Sequence, residues 1–149
     1  SEAAMGAWHH RLGNLTAMVD MNALQADTPE DAAKTWIRGV QKRSGPMQYA
    51  VMSPALQAKT KQQFEDNFWV TGGSSPHMGT VTNMTTKTLS DGKVQISFDY
   101  PLVTSAGVEG TGKAMLTIEK GTGPADDQWA ISSIWLKDPG DTGLMIGSN

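Results

Sequence analysis

Apolar positions along this chain follow two rhythms, one near the helical period in the first half and one of two residues in the second, with the change close to residue 70. The first rhythm is sharpest from Thr28. Thr28 suits an N-cap, Pro29 the first helical position, and Glu30 and Asp31 set negative charge at the positive helix end. Ala33, Trp36, Ile37 and Val40 form one stripe, Lys34, Arg38, Lys42 and Arg43 fall mostly elsewhere, and Gly45-Pro46 supplies a stop. A helix is predicted over 29–43. The apolar run Met47 to Met52 predicts one or two further helical turns. Ser53-Pro54 repeats the cap-plus-proline signal and predicts a helix over 54–67, on which Leu56, Thr60, Phe64 and Phe68, spaced by fours, face the same core as Trp36.

After Trp69 and Val70, the segment TGGSSPH reads as a loop, and the pattern that follows is β-branched and alternating. Met78 to Leu89, rich in threonine, predicts a strand; Asp91-Gly92 predicts a hairpin turn; and Lys93 to Val103 places Val94, Ile96, Phe98, Tyr100 and Leu102 on one face. Pro101 cannot donate to a ladder, which implies an edge, a bulge or a strand end there. TSAGVEG is expected to be a loop, followed by a strand over 112–120 with Ala114, Leu116 and Ile118 aligned. GTGPADD is the next loop, before a last strand over 128–137. The result is a four-stranded antiparallel meander. Neither half has enough apolar surface alone, so one α+β domain is expected over 28–138. Trp8, Leu12, Leu15 and Val19 predict an N-terminal helical extension over 1–27, weakened at Gly13-Asn14, and the glycine-rich residues 139–149 read as a flexible tail in which Leu144, Met145 and Ile146 can dock.

Composition narrows the classes without naming a reaction. A chain of 149 residues with 38% hydrophobic and 18% charged positions is of single-domain size and globular type. The net charge of −3 and the scattered basic residues leave no footprint for nucleic acid. No apolar run approaches the roughly 20 residues that span a bilayer, so no membrane insertion is expected. The absence of cysteine excludes disulfides, thiolate zinc sites and cysteine nucleophiles. Its histidines, His9, His10 and His77, have no metal-ligand spacing, no serine sits in a nucleophile elbow, and no glycine run has the strand-to-helix context of a phosphate loop. Hence no cofactor and no metal are expected. Asn14-Leu15-Thr16 and Asn83-Met84-Thr85 match the glycosylation acceptor pattern.

Helices first and a four-stranded meander after, with SPALQAK opening the last helix and WAISSIW as the terminal strand, resembles the nuclear transport factor two-like, or cystatin-like, superfamily, over about residues 28 to 137. The segment TPEDAAKTWIRGVQKRSGPMQYAVMSP is similar to the small extracytoplasmic bacterial members. That resemblance implies a cone in which a curved sheet and helices enclose a pocket, an extracytoplasmic location, and a function that the fold itself does not dictate.

Enzymes of that superfamily often use a carboxylate inside the cone, which singles out Asp99. Strict alternation instead groups Asp99 with Lys93, Gln95 and Ser97, opposite the apolar set. Tyr49 and Tyr100 can donate hydrogen bonds into a pocket, although a buried ring with its hydroxyl at the rim is the commoner arrangement. His77 lies where the resemblance implies the cone mouth, and Trp69 is expected, with Trp36, Trp129 and Trp135, to line core or pocket. The leading expectation is a non-catalytic accessory domain that binds a protein partner or a small apolar ligand. Two others stand beside it: a small isomerase or dehydratase using Asp99, Tyr49 or His77, and a structural domain that dimerises through its sheet.

Overall fold

The computed structural model describes residues 26–73, 76–121, 127–139 and 143–149. The helical extension expected over 1–27, with Trp8, His9, His10 and the Asn14 acceptor, lies outside the described residues apart from Ala26 and Asp27. The described residues form three helices, α1 (Pro29–Gln41), α2 (Gly45–Ala50) and α3 (Pro54–Asp66), followed by β1 (His77–Met78), β2 (Thr82–Thr88), β3 (Val94–Thr104), β4 (Gly107–Lys120) and β5 (Trp129–Leu136). It is an α+β fold in which the helices pack on a curled antiparallel sheet, a half-barrel. Among the described residues, no helix is long and apolar enough to cross a membrane.

The three helix starts share one device. Thr28, Ser44 and Ser53 each sit in extended backbone and accept, through the side-chain oxygen, the N–H three residues on: Asp31 at 3.0 Å, Met47 at 3.2 Å and Leu56 at 3.3 Å. The Gly45-Pro46 pair expected to stop α1 therefore opens α2. The stop is Arg43, in left-handed backbone at φ 58°. Helix α1 buries Ala32, Ala33, Trp36, Ile37 and Val40, and α3 buries Leu56, Thr60 and Phe64. Phe68 does not join them. Helix α3 ends at Asp66 and the chain reverses, leaving Phe68 86% exposed.

Sheet register matches the alternation of the sequence. The inner face carries the rows Val94–Ile118–Ile131, Ile96–Leu116–Ile134 and Phe98–Ala114–Leu136, with Tyr100 opposite Gly112 at the far end. Toward that end each aromatic of β3 faces a small residue of β4, so the inner face stays level while the sheet curls. A Cβ at position 112 would overlap the Tyr100 ring.

Two expected boundaries move. The strand foreseen over 78–89 is broken into β1 and β2, both on the same side of β3, with a bulge between Thr82 and Thr85 and Asn83 at φ 55°. The break faces Pro101. Its carbonyl accepts the Gly79 N–H at 2.9 Å, and its donorless nitrogen points the same way, into the gap where no ladder bond is required. The loop foreseen over 104–110 is instead a tight hairpin. Strand β3 runs on to Thr104 and β4 begins at Gly107, whose φ of 116° suits glycine and closes the turn in two residues.

The other edge, β5, is sealed by three distant segments. Trp129 N–H donates to Ala26 at 2.9 Å; Ile131 N–H donates to Val51 and its carbonyl accepts from Ser53, both at 2.7 Å; and the Ser148 N–H donates to Ile134 at 2.8 Å. Asn149 completes the seam by bonding both the N–H and the carbonyl of Leu136 through its side chain. Over 143–149 the tail is thus tied to β5, and Leu144, Met145 and Ile146 are buried.

Two stability effects follow. Gly112→Val is expected to cost about 2 kcal/mol, as overpacking against Tyr100. Leu144→Ala should cost about 3 kcal/mol as a core truncation. Urea denaturation of each variant measures both, and a loss under about 0.5 kcal/mol for Leu144→Ala would mean that the tail is not part of the core.

Candidate functional site

Where α3 begins, the chain is drawn against β5. Met52 bridges Ile131 in parallel and Ala26 bridges Trp129 in antiparallel fashion, and the three segments leave a cleft of about 280 Å³ between them. Its lining is about half apolar, from residues such as Ala26, Met52, Pro54 and Trp129. Polar groups gather at one side. Gln57 and Gln128 line it with the β4 end, Glu119 and Lys120. Gln57 Nε2 donates to the Tyr49 carbonyl at 2.9 Å, which fixes its amide against the wall. Gln128 Nε2 donates to Asp27 at 3.1 Å, and Glu119 meets Lys93 at 3.4 Å. A recess that is half apolar and half polar, with oriented amides on its lining, is suited to holding an apolar side chain and the polar backbone flanking it.

The residues singled out from sequence lie elsewhere and do not converge. Tyr49 and Trp69 meet edge to face with ring centroids 5.1 Å apart, and Phe64 stacks on Trp69 at 5.2 Å. Burial, and after it the Glu65 carboxylate, push the Tyr49 phenol above the ordinary tyrosine range. Tyr100 is buried on the inner sheet face, its ring 6.4 Å from that of Phe98 and lying over Gly112. Asp99, next in the alternation, is on the outer face. Its carboxylate takes the Lys113 ammonium at 2.9 Å and the Asn83 amide at 2.8 Å. Those hydrogen bonds, Lys113's first and Asn83's second, hold Asp99 below the usual carboxylate range. His77 is exposed, paired with Val103 four positions along β3 from Asp99, a separation of roughly 13 Å. Only Tyr49 and Trp69 are brought together, and theirs is a packing contact.

The enclosed cone interior implied by the resemblance is occupied. Trp36, Phe98, Ile96, Leu116 and Ile134 fill the space between α1 and the sheet, all fully buried. The cleft at the sheet end was not foreseen, although Ser53-Pro54 and Trp129 were each noticed. Nothing local announces the Ala26–Trp129 bridge, whose neighbouring Asp27–Gln128 bond joins residues 101 apart. Among the described residues, no group of three or more His, Asp or Glu is placed to hold a metal ion.

Comparison with family models, with curated proteins and with solved structures finds no match to this chain.

The Asp99 pairing makes a prediction with a definite sign. A carboxyl whose folded pKa is depressed contributes stability above its unfolded value, near 4, and that contribution is lost as pH falls through the lower folded value. Lys113→Met should let Asp99 titrate closer to the ordinary range while the fold persists, as followed by carboxyl NMR. An unchanged Asp99 titration would show that Lys113 does not set it.

Proposed function

We propose that this domain is a non-catalytic binding module that recognises a protein partner by taking an apolar side chain of an extended segment into the cleft between the start of α3 and β5. The observation that carries this reading is the cleft: a half-apolar recess of about 280 Å³, with Met52, Pro54 and Trp129 on its wall and the fixed amide of Gln57 and Lys120 on its lining. A volume of this size lies at the small end of ligand sites, which run from roughly 300 to 1,000 Å³, and accommodates a single large side chain. The wide separation of Asp99, His77 and Tyr49 supports binding over acid–base catalysis, which needs its groups within hydrogen-bond reach of one substrate. Kinship with the nuclear transport factor two-like superfamily is part of this proposal. It rests on the order of helices and meander, as does an extracytoplasmic setting.

The test is selection from a displayed library of random peptides. Peptides with an aromatic or large aliphatic anchor are expected to enrich on the wild-type protein, and Ala130→Trp, which fills the cleft from β5, should weaken them at least tenfold, read by fluorescence polarisation. Enriched peptides that bind Ala130→Trp unchanged, or a library that yields no anchored peptide, would remove the reading.

A further inference from the structure

Helix α3 ends in a closure that normally calls for glycine. The Trp69 N–H donates to the Phe64 carbonyl at 2.8 Å and the Phe68 N–H to the Glu65 carbonyl at 3.0 Å, with Asn67 as C-cap. This is a Schellman motif, and Phe68 occupies its left-handed position, at φ 55°, with Trp69 following at φ 63°. Two consecutive bulky residues in left-handed backbone are strained. For Trp69 the compensation is visible, because its ring is buried and stacks on Phe64. Phe68 has none among the described residues: it is 86% exposed, and Val70 beside it is 53% exposed. The corner is nevertheless held firmly. The Trp69 carbonyl accepts the Gly45 N–H at 2.9 Å, the Val70 N–H donates to Asn67 at 3.1 Å, and the Thr71 N–H donates to Arg43 at 3.1 Å.

The charges next to Phe68 along the chain are negative, while Arg43, on the far flank of the corner, turns its guanidinium to the Pro76 carbonyl at 3.2 Å. Glu65 and Asp66 are exposed in the last turn of α3, that turn carries no basic residue, and the negative end of the helix points the same way. From this we infer that the Phe68–Val70 corner is a preorganised knob that docks into an apolar pocket, rimmed by lysine or arginine, on a different protein. Charge decides against a second copy of this chain as the receptor. The recess this protein offers carries the carboxylates of Glu119, Asp27 and Asp127 against the ammonium groups of Lys120 and of Lys93, which pairs with Glu119, so its balance is negative and no cationic rim meets Glu65 and Asp66. The knob is separate from the cleft, and the two surfaces can hold different segments of one partner or of two.

The probe is the full chain with p-benzoylphenylalanine in place of Phe68, photolysed in its own cells, and the adduct mapped by mass spectrometry. The expected result is one dominant protein adduct whose cross-linked peptide is apolar and flanked by Lys or Arg, absent when the probe replaces the exposed Ala58. With that protein purified, Phe68→Gly should weaken binding at least tenfold, and Glu65→Lys with Asp66→Lys should do the same. Phe68→Gly should also raise the melting temperature, since glycine relieves the left-handed strain; this separates lost docking from lost folding. Cross-linking to itself or to lipid, no adduct, an acidic contact peptide, full binding by Phe68→Gly, or a lowered melting temperature in that variant would each overturn the inference. Ala130→Trp leaves the adduct in place, so failure of the cleft reading and failure of this one are distinguishable.

Discussion

The contact between Trp36 of α1 and Phe98 of β3, with ring centroids 6.3 Å apart, is where the helical and sheet layers are joined. Both rings are fully buried, and the sheet has to curve to admit them. It does so because Ala114 and Gly112 of β4 stand opposite Phe98 and Tyr100, giving the aromatic rings the depth that larger neighbours would take. On the helix side, Ala32 and Ala33 are buried in the turn before Trp36 and Gly39 in the turn after, where a Cβ would press on Gln48 of α2. Trp36 stays although its indole N–H is buried with no acceptor among the described residues, a deficit of about 1–3 kcal/mol. Its ring area and shape outweigh that deficit.

From this joint the sheet acquires two unlike edges. Strand β5 is closed along its length by residues near 26, 52 and 148, while β2 pairs only with β3 among the described residues and is exposed throughout. The open edge carries features that discourage a further strand: a bulge, a left-handed Asn83 and Lys87. The closed edge is where the cleft lies, because three segments converging on one strand cannot pack without leaving a gap between them.

Much of the architecture was legible from residues alone. The caps at Thr28 and Ser53, the alternation from Val94 to Leu102 and the Asp91-Gly92 turn are local signals, and each fixes an element by short-range chemistry. Asp99 likewise lies where alternation put it, on the solvent side with Lys113. What could not be read depends on distant partners. Phe68 continues the spacing of Leu56, Thr60 and Phe64, yet the helix ends one position short of Asn67, and no property of Phe announces a left-handed residue. Ser105-Ala106 became a hairpin turn because β3 and β4 pair beyond the expected ends. The break at Gly79 answers Pro101, more than twenty residues away in the chain. The cleft required Ala26 and Trp129 to meet, which no window of sequence contains.

The seal on β5 has a kinetic consequence. Its backbone bonds tie Trp129 to Ala26 and Ile131 to Val51 and Ser53, and the Asp27–Gln128 side-chain bond beside them spans 101 residues, so most of the chain must be placed before the seam is complete. Contacts this remote come late and slow a folding reaction, because loop-closure entropy is spent before they return anything. Until then β5 is a bare edge that carries Ile131, Ile134 and Leu136, with a bulge between the first two. The brief interval before Ala26, Met52 and Ser148 arrive is when this domain is most exposed to pairing with its neighbours.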